Sequence, residues 1–316
     1  ISNCSIPVVV ILLVAGFALL IKGADYFVEG SSSVAKHFNV PSIIIGLTIV
    51  ALGTSLPEAA VSINSALQGA SDLSIGNILG SNVINVLLIL GITSLICTIP
   101  VSKKAVRFDI PFVVIVTLVL VYLGLSDHVI GRLDGGILIL IMVGYVMYLA
   151  YRVKKGDELD EIPGQDKKMA SWLIVFLIIL GAAMIAFGSN ITVKGAVALA
   201  TYFGVSERII GLTMVAFGTS LPELVTSITA AAKKETDIAI GNIVGSNLFN
   251  IVFVLGITSV IRPIPFEEAF RIDAYVAIAT IVFLFICSIP KRKLGKFSGF
   301  LMLAAYIAYF IFTMIR

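Results

Sequence analysis

The chain is 316 residues long, 59% hydrophobic and only 13% charged, with a formal net charge of +3. Soluble globular chains carry about a quarter charged residues, so this composition excludes an ordinary soluble domain. The three cysteines, Cys4, Cys97 and Cys287, are widely spaced and have neither C-x-x-C nor metal-ligand spacing, which argues against redox chemistry.

Apolar runs recur between short polar breaks, each long enough to cross about 30 Å of hydrocarbon as a helix. Ten spans are expected, at 7–30, 42–67, 73–99, 108–126, 133–152, 171–200, 207–232, 238–261, 272–289 and 297–315. The first lacks a basic start and continues into Gly23-Ala24-Asp25-Tyr26-Phe27, so it reads as a span and not as a cleaved signal. The second contains GLTIVALGTSLPE, ending on Glu58. A carboxylate inside an apolar span costs about 2.5–3.5 kcal/mol on insertion scales and marks a functional site by default. Pro57 lacks an N–H and clashes with the Gly53 carbonyl, so the helix should break there, making the carbonyls of 51–54 candidate ligands beside the Thr54 and Ser55 hydroxyls.

The third span reads SIGNILGSNVIN, in which Asn77, Ser81 and Asn85 recur every four residues on one helical face. Gly76 and Gly80 flank that face and suit close helix packing; Ser81 and Asn85 are the better ligand candidates. After two further spans comes KKGDELDEIPGQDKK, residues 154–168, a mixed-charge tether without the twelve-residue calcium-loop pattern. The domains are therefore expected to be 1–153, a linker at 154–170, and 171–316.

The seventh and eighth spans repeat the second and third. Residues 211–223 read GLTMVAFGTSLPE, identical to 46–58 at eleven of thirteen positions with an offset of 165. The same offset carries Gly23 to Gly188, Asn77 to Asn242, Ser81 to Ser246 and Asn85 to Asn250. Each half holds five spans, and an odd number makes the second copy enter the membrane from the opposite face. The fold expected is an all-α membrane protein of ten helices in two inverted five-helix repeats, with substrates bound near the midplane. Placing both termini outside puts fifteen loop Lys and Arg residues on the cytoplasmic side and five on the other, as the positive-inside rule prefers.

The ligand candidates are all oxygens: the Glu58 and Glu223 carboxylates, Thr54, Ser55, Ser81, Thr219, Ser220 and Ser246 hydroxyls, Asn85 and Asn250 amides, and the Ala51 and Ala216 carbonyls. Such a set selects hard cations over zinc or copper. Two glutamates supply a charge of about −2, balanced by one Ca²⁺ or two Na⁺.

These paired GTSLPE segments, each followed by GN-x-x-GSN, resemble the two alpha-repeats of the cation/calcium antiporter superfamily, particularly its prokaryotic sodium/calcium exchangers. The resemblance implies that Glu58 and Glu223 are shared Ca²⁺ and Na⁺ ligands. Thr54, Ser55, Ser81, Thr219, Ser220, Ser246 and the Ala51 and Ala216 carbonyls would complete the sites. Asn85 and Asn250 match the third polar position of each repeat. An Asp at the latter position is associated with potassium in some relatives, so Asn250 implies exchange without it. The Thr-Ser-Leu-Pro-Glu form also looks less like the proton/calcium branch.

The function expected is sodium/calcium antiport by alternating access in an inner or plasma membrane, with a proton/calcium antiporter or a passive cation channel as alternatives. No enzyme activity, cofactor or nucleic-acid partner is expected. Ser55 and Ser220 lack a His or Lys base suitably placed in the membrane.

Overall fold

The computed structural model describes residues 5–156, 169–205 and 217–315. Ala216, Cys4, Arg316 and most of the linker lie outside the described residues. The helices in chain order are α1 (Ile6–Phe38), α2 (Ser42–Thr54), α3 (Leu56–Leu67), α4 (Leu73–Ile96), α5 (Ala105–Asp127), α6 (Arg132–Lys154), α7 (Ser171–Tyr202), α8 (Leu221–Ala232), α9 (Thr236–Ile261), α10 (Glu268–Ser288) and α11 (Lys296–Ile315). Eight are long and apolar enough to cross a membrane, and nine spans result among the described residues if the bent pair α2–α3 counts as one. The expected run 207–232 is described only from residue 217, where α8 contributes 12 residues. The protein is an all-α, multi-pass membrane protein.

Burial separates centre from periphery. The most apolar stretch of α9 is 94% buried and that of α4 78%, against 22% for α1 and 11% for α11. The two GN-x-x-GSN segments therefore ride on the central helices, and the outer helices turn large apolar side chains such as Ile11, Val14, Tyr122, Leu140, Phe187 and Phe300 outward, as lipid contact requires.

The bend between α2 and α3 is 45°, at Ser55. Pro57 in the first turn of α3 supplies no N–H, which is why the chain turns there. The expected unwinding does not occur: residues Ala51–Thr54 remain helical and the Ala51 carbonyl accepts the Ser55 N–H at 3.0 Å. A five-residue π-helical stretch, Gly46–Val50, precedes them. In the second half, the Ser189 hydroxyl donates to the Gly218 carbonyl at 3.1 Å, satisfying the group that Pro222 leaves without a helical donor.

α1 and α7 lie against each other through glycines. A Cβ added at Gly23 would meet the Gly181 carbonyl at 3.0 Å, and one at Gly181 would meet the Phe27 amide at 2.6 Å. Two short antiparallel ribbons tie the halves together, Ile99–Pro100 with Lys293–Leu294 and Val129–Ile130 with Ile264–Pro265.

Arg152, counted from sequence among the loop cations, is instead buried at 1% exposure. It donates from one guanidinium nitrogen to both oxygens of buried Asp109, at 2.8 and 3.0 Å, and the Tyr145 hydroxyl adds a third donor at 3.3 Å. This cluster clamps α5 to α6. Removing one member of a buried pair leaves the other charge unpaired, a loss of about 3–5 kcal/mol. Arg152→Met should therefore lower the thermal unfolding midpoint in detergent substantially, and adding Asp109→Leu should recover part of it; an unchanged midpoint for R152M would refute the clamp.

Candidate functional site

Glu58 and Glu223 each sit in the first turn of a short helix, α3 and α8, directly after the proline that starts it. A helix N-terminus stabilises a carboxylate through its exposed N–H groups and dipole. Both side chains are fully buried. The Ser55 hydroxyl, from the other half, donates to Glu223 Oε1 at 3.1 Å, and Ser246 donates to the same oxygen at 3.4 Å. Both oxygens of Glu58, Oε2 of Glu223 and the Ser220 hydroxyl have no hydrogen-bond partner among the described residues. Buried carboxylate oxygens without donors are expensive, and a bound cation would remove that cost.

Around the two carboxylates runs a lattice of neutral oxygens and amides, and it repeats itself at the offset of 165. Thr54 donates to Asn242 Oδ1 at 3.0 Å and Thr219 to Asn77 Oδ1 at 3.3 Å. Thr54 and Ser246 hydroxyls lie 3.4 Å apart, and those of Thr219 and Ser81 3.5 Å apart. Asn77 and Asn242 in turn donate to Ser62 and Ser227, at 3.3 and 3.0 Å. These four Thr54 and Thr219 contacts each join one half of the chain to the other.

The structure thus brings Thr54, Ser55, Ser81, Thr219, Ser246, Glu58 and Glu223 into one buried region. Ser220 is buried beside them, and Ala51 contributes its backbone from α2. Ala216 lies outside the described residues. Asn85 and Asn250 fall in π-helical stretches, Ile84–Leu90 and Asn250–Leu255, and both are fully buried with the side-chain oxygen unpartnered among the described residues. Wide helical turns of this kind are common at functional sites.

Sequence reading missed Asn82, Asn247, Ser62 and Ser227. All four repeat at the same offset of 165, which was the available signal, but their partners lie across the molecule and no periodicity reports that. Asp25, a carboxylate within the first span, is engaged elsewhere: it is held by Lys233 and Lys22 where α1 meets the α8–α9 turn. Among the described residues no three His, Cys, Asp or Glu side chains converge. The site is two carboxylates among neutral oxygens.

Known proteins resemble this chain over nearly its whole length. CaxA of Alkalimonas amylolytica is 39% identical over 96% of this chain and 97% of its own length. The sodium/calcium exchanger MaX1 of Methanosarcina acetivorans is 29% identical over 95% of this chain and 97% of its own. A solved structure of the sodium-calcium exchanger NCX_Mj, soaked with Na⁺ and Sr²⁺, superposes with a TM-score of 0.84 at 32% identity, covering 97% of this chain and 99% of that one. The model of the family described as sodium/calcium exchanger protein matches residues 8–151 and 173–315, one block in each half, and the chain belongs to that family.

Proposed function

We propose that this protein is an antiporter exchanging Na⁺ for Ca²⁺ by alternating access. The observation that carries the proposal is the pair Glu58 and Glu223, fully buried and together presenting three carboxylate oxygens without donors among the described residues. A charge of about −2 held in a poorly solvated site needs compensation by one divalent or two monovalent cations. Competition for one site couples the two ions. Thr54, Ser55, Ser81, Thr219, Ser220, Ser246, Asn85, Asn250 and the carbonyls of Ala51 and Ala216 complete the ligand set in this reading. Likeness to NCX_Mj, a sodium-calcium exchanger, supports it.

The same reading makes the fold ten helices in two inverted repeats, 1–153 and 171–316, joined by a cytoplasmic linker at 154–170. The reciprocal Thr54–Asn242 and Thr219–Asn77 contacts are what a two-fold relation in the membrane plane would produce.

In proteoliposomes, Ca²⁺ uptake should require an outward Na⁺ gradient at fixed pH and proceed without K⁺. Uptake driven by a proton gradient in the absence of sodium would favour a proton/calcium antiporter instead, and uptake without any counter-ion a channel. The topology carries a separate expectation: with both termini outside, a cysteine introduced at Gly164 should react with impermeant thiol reagents only from the cytoplasmic side. Labelling of sealed cells from outside would reverse the orientation.

A further inference from the structure

Four asparagines close a ring where α4 crosses α9. Asn82 Nδ2 donates to the backbone carbonyl of Asn247 at 3.1 Å, and Asn247 Nδ2 donates to the backbone carbonyl of Asn82 at 3.3 Å. Asn250 Nδ2 then donates to Asn82 Oδ1, and Asn85 Nδ2 to Asn247 Oδ1, both at 3.0 Å. All four side chains are at most 5% exposed. What remains unpartnered among the described residues is Oδ1 of Asn85 and Oδ1 of Asn250.

An amide side chain has a donor end and an acceptor end of nearly equal size, and turning it over exchanges them. Beside a cation the two ends are opposites: the oxygen binds and the NH₂ repels. Packing alone does not choose between them, because the shapes match. Here the choice starts from a group whose polarity cannot be reversed. The Asn247 backbone carbonyl can only accept, so Asn82 must point its NH₂ there and its Oδ1 the other way. That oxygen can only accept, so Asn250 must give it an NH₂ and keep its own Oδ1 free. The relay from the Asn82 carbonyl through Asn247 to Asn85 works identically.

We infer that Asn82 and Asn247 are positioning residues: through this ring they hold Asn250 and Asn85 with the carbonyl oxygen, and not the NH₂, turned to the transported ions. The inference rests on the reading of Asn85 and Asn250 as ligands. It gives the second asparagine of each GSN segment a role distinct from coordination, and it needs both halves of the chain at once.

The test is a cycle read by Na⁺ and Ca²⁺ binding calorimetry on purified protein and by vesicle uptake. Asn82→Leu removes the acceptor that fixes Asn250, freeing that amide to turn its NH₂ toward the ion; Na⁺ half-saturation should rise at least about tenfold, the equivalent of about 1.4 kcal/mol. In an Asn250→Asp background both side-chain ends are acceptors, nothing can be turned the wrong way, and the same Asn82→Leu change should cost less than about twofold. Equal losses in the two backgrounds, or no loss with Asn250 present, would overturn the inference in favour of a purely structural ring. If N82L does not fold, Asn247→Leu makes the same test through the other arm of the ring, because it removes the acceptor that holds Asn85; unchanged Na⁺ affinity there would also overturn the inference. Asn250→Leu serves as the separate check on the ligand reading. Unchanged ion binding in N250L would sink that reading and leave the hydrogen-bond relay itself untouched.

Discussion

Glu58→Gln and Glu223→Gln should each abolish sodium-driven Ca²⁺ uptake while leaving the protein folded. Glutamine preserves the shape, and at position 223 its carbonyl oxygen can still accept from Ser55 and Ser246, as Glu223 Oε1 does at 3.1 and 3.4 Å. What is lost is one negative charge and one of the bare oxygen faces that Glu58 and Glu223 present. Two unit charges 4 Å apart at an effective dielectric of about 20 interact by about 4 kcal/mol, roughly a thousandfold in affinity. That is enough to take Ca²⁺ binding out of the working range. Because the two positions are equivalent at the offset of 165, the losses should be comparable.

A second readout separates lost binding from lost folding. Two buried like charges destabilise the empty protein, so each Gln variant should unfold at a higher temperature than the parent in ion-free buffer. The parent should gain stability on adding Ca²⁺, since a ligand bound only by the folded state stabilises it, and the variants should not. Near-parent uptake by folded, inserted E58Q or E223Q would show that the carboxylates do not form a shared site.

The membrane-spanning helices were legible because lipid imposes one rule, about 20 apolar residues per crossing, and hydropathy reads it directly. The break before Glu58 was legible because Pro57 removes an N–H that nothing else can replace. Its form was not: whether a helix bends or unwinds depends on where the freed carbonyls find donors, and the hydroxyl that serves Gly218 comes from Ser189 on another helix. The meeting of Glu58, Glu223 and their hydroxyl neighbours followed from repetition of one motif at a fixed offset. By contrast, Arg152 counted as a loop charge, because its ion pairing with Asp109 at a separation of 43 residues leaves no periodic trace. The two ribbons joining the halves are only two residues per strand, too short for any alternation to show.

The glycines flanking the asparagine face carry the other large expected effect. A Cβ built at Gly241 would lie 2.7 Å from the Ile43 carbonyl oxygen and 3.0 Å from the Gly46 Cα; one at Gly245 would lie 2.7 Å from the Ala51 Cβ and 2.8 Å from the Leu47 carbonyl oxygen. At Gly241 these neighbours are backbone atoms of α2, which cannot rotate aside as a side-chain tip can. Ordinary contact begins at 3.4 Å, so even alanine at 241 must part α2 from α9 by about 0.7 Å. The Thr54–Asn242 hydrogen bond, 3.0 Å long, joins those same two helices, and parting them strains it. Gly241→Ala should therefore fold but lose at least about tenfold in Na⁺-driven uptake, through a residue that touches no ion. Gly241→Leu has no such compromise available and should yield no monodisperse protein in detergent. Gly144 provides the control: it lies exposed on α6 with nothing within 4 Å of an added Cβ, so Gly144→Leu should be purified and transport like the parent. Parent-like uptake by Gly241→Ala would mean that the close approach of α2 and α9 does not set the geometry of the site.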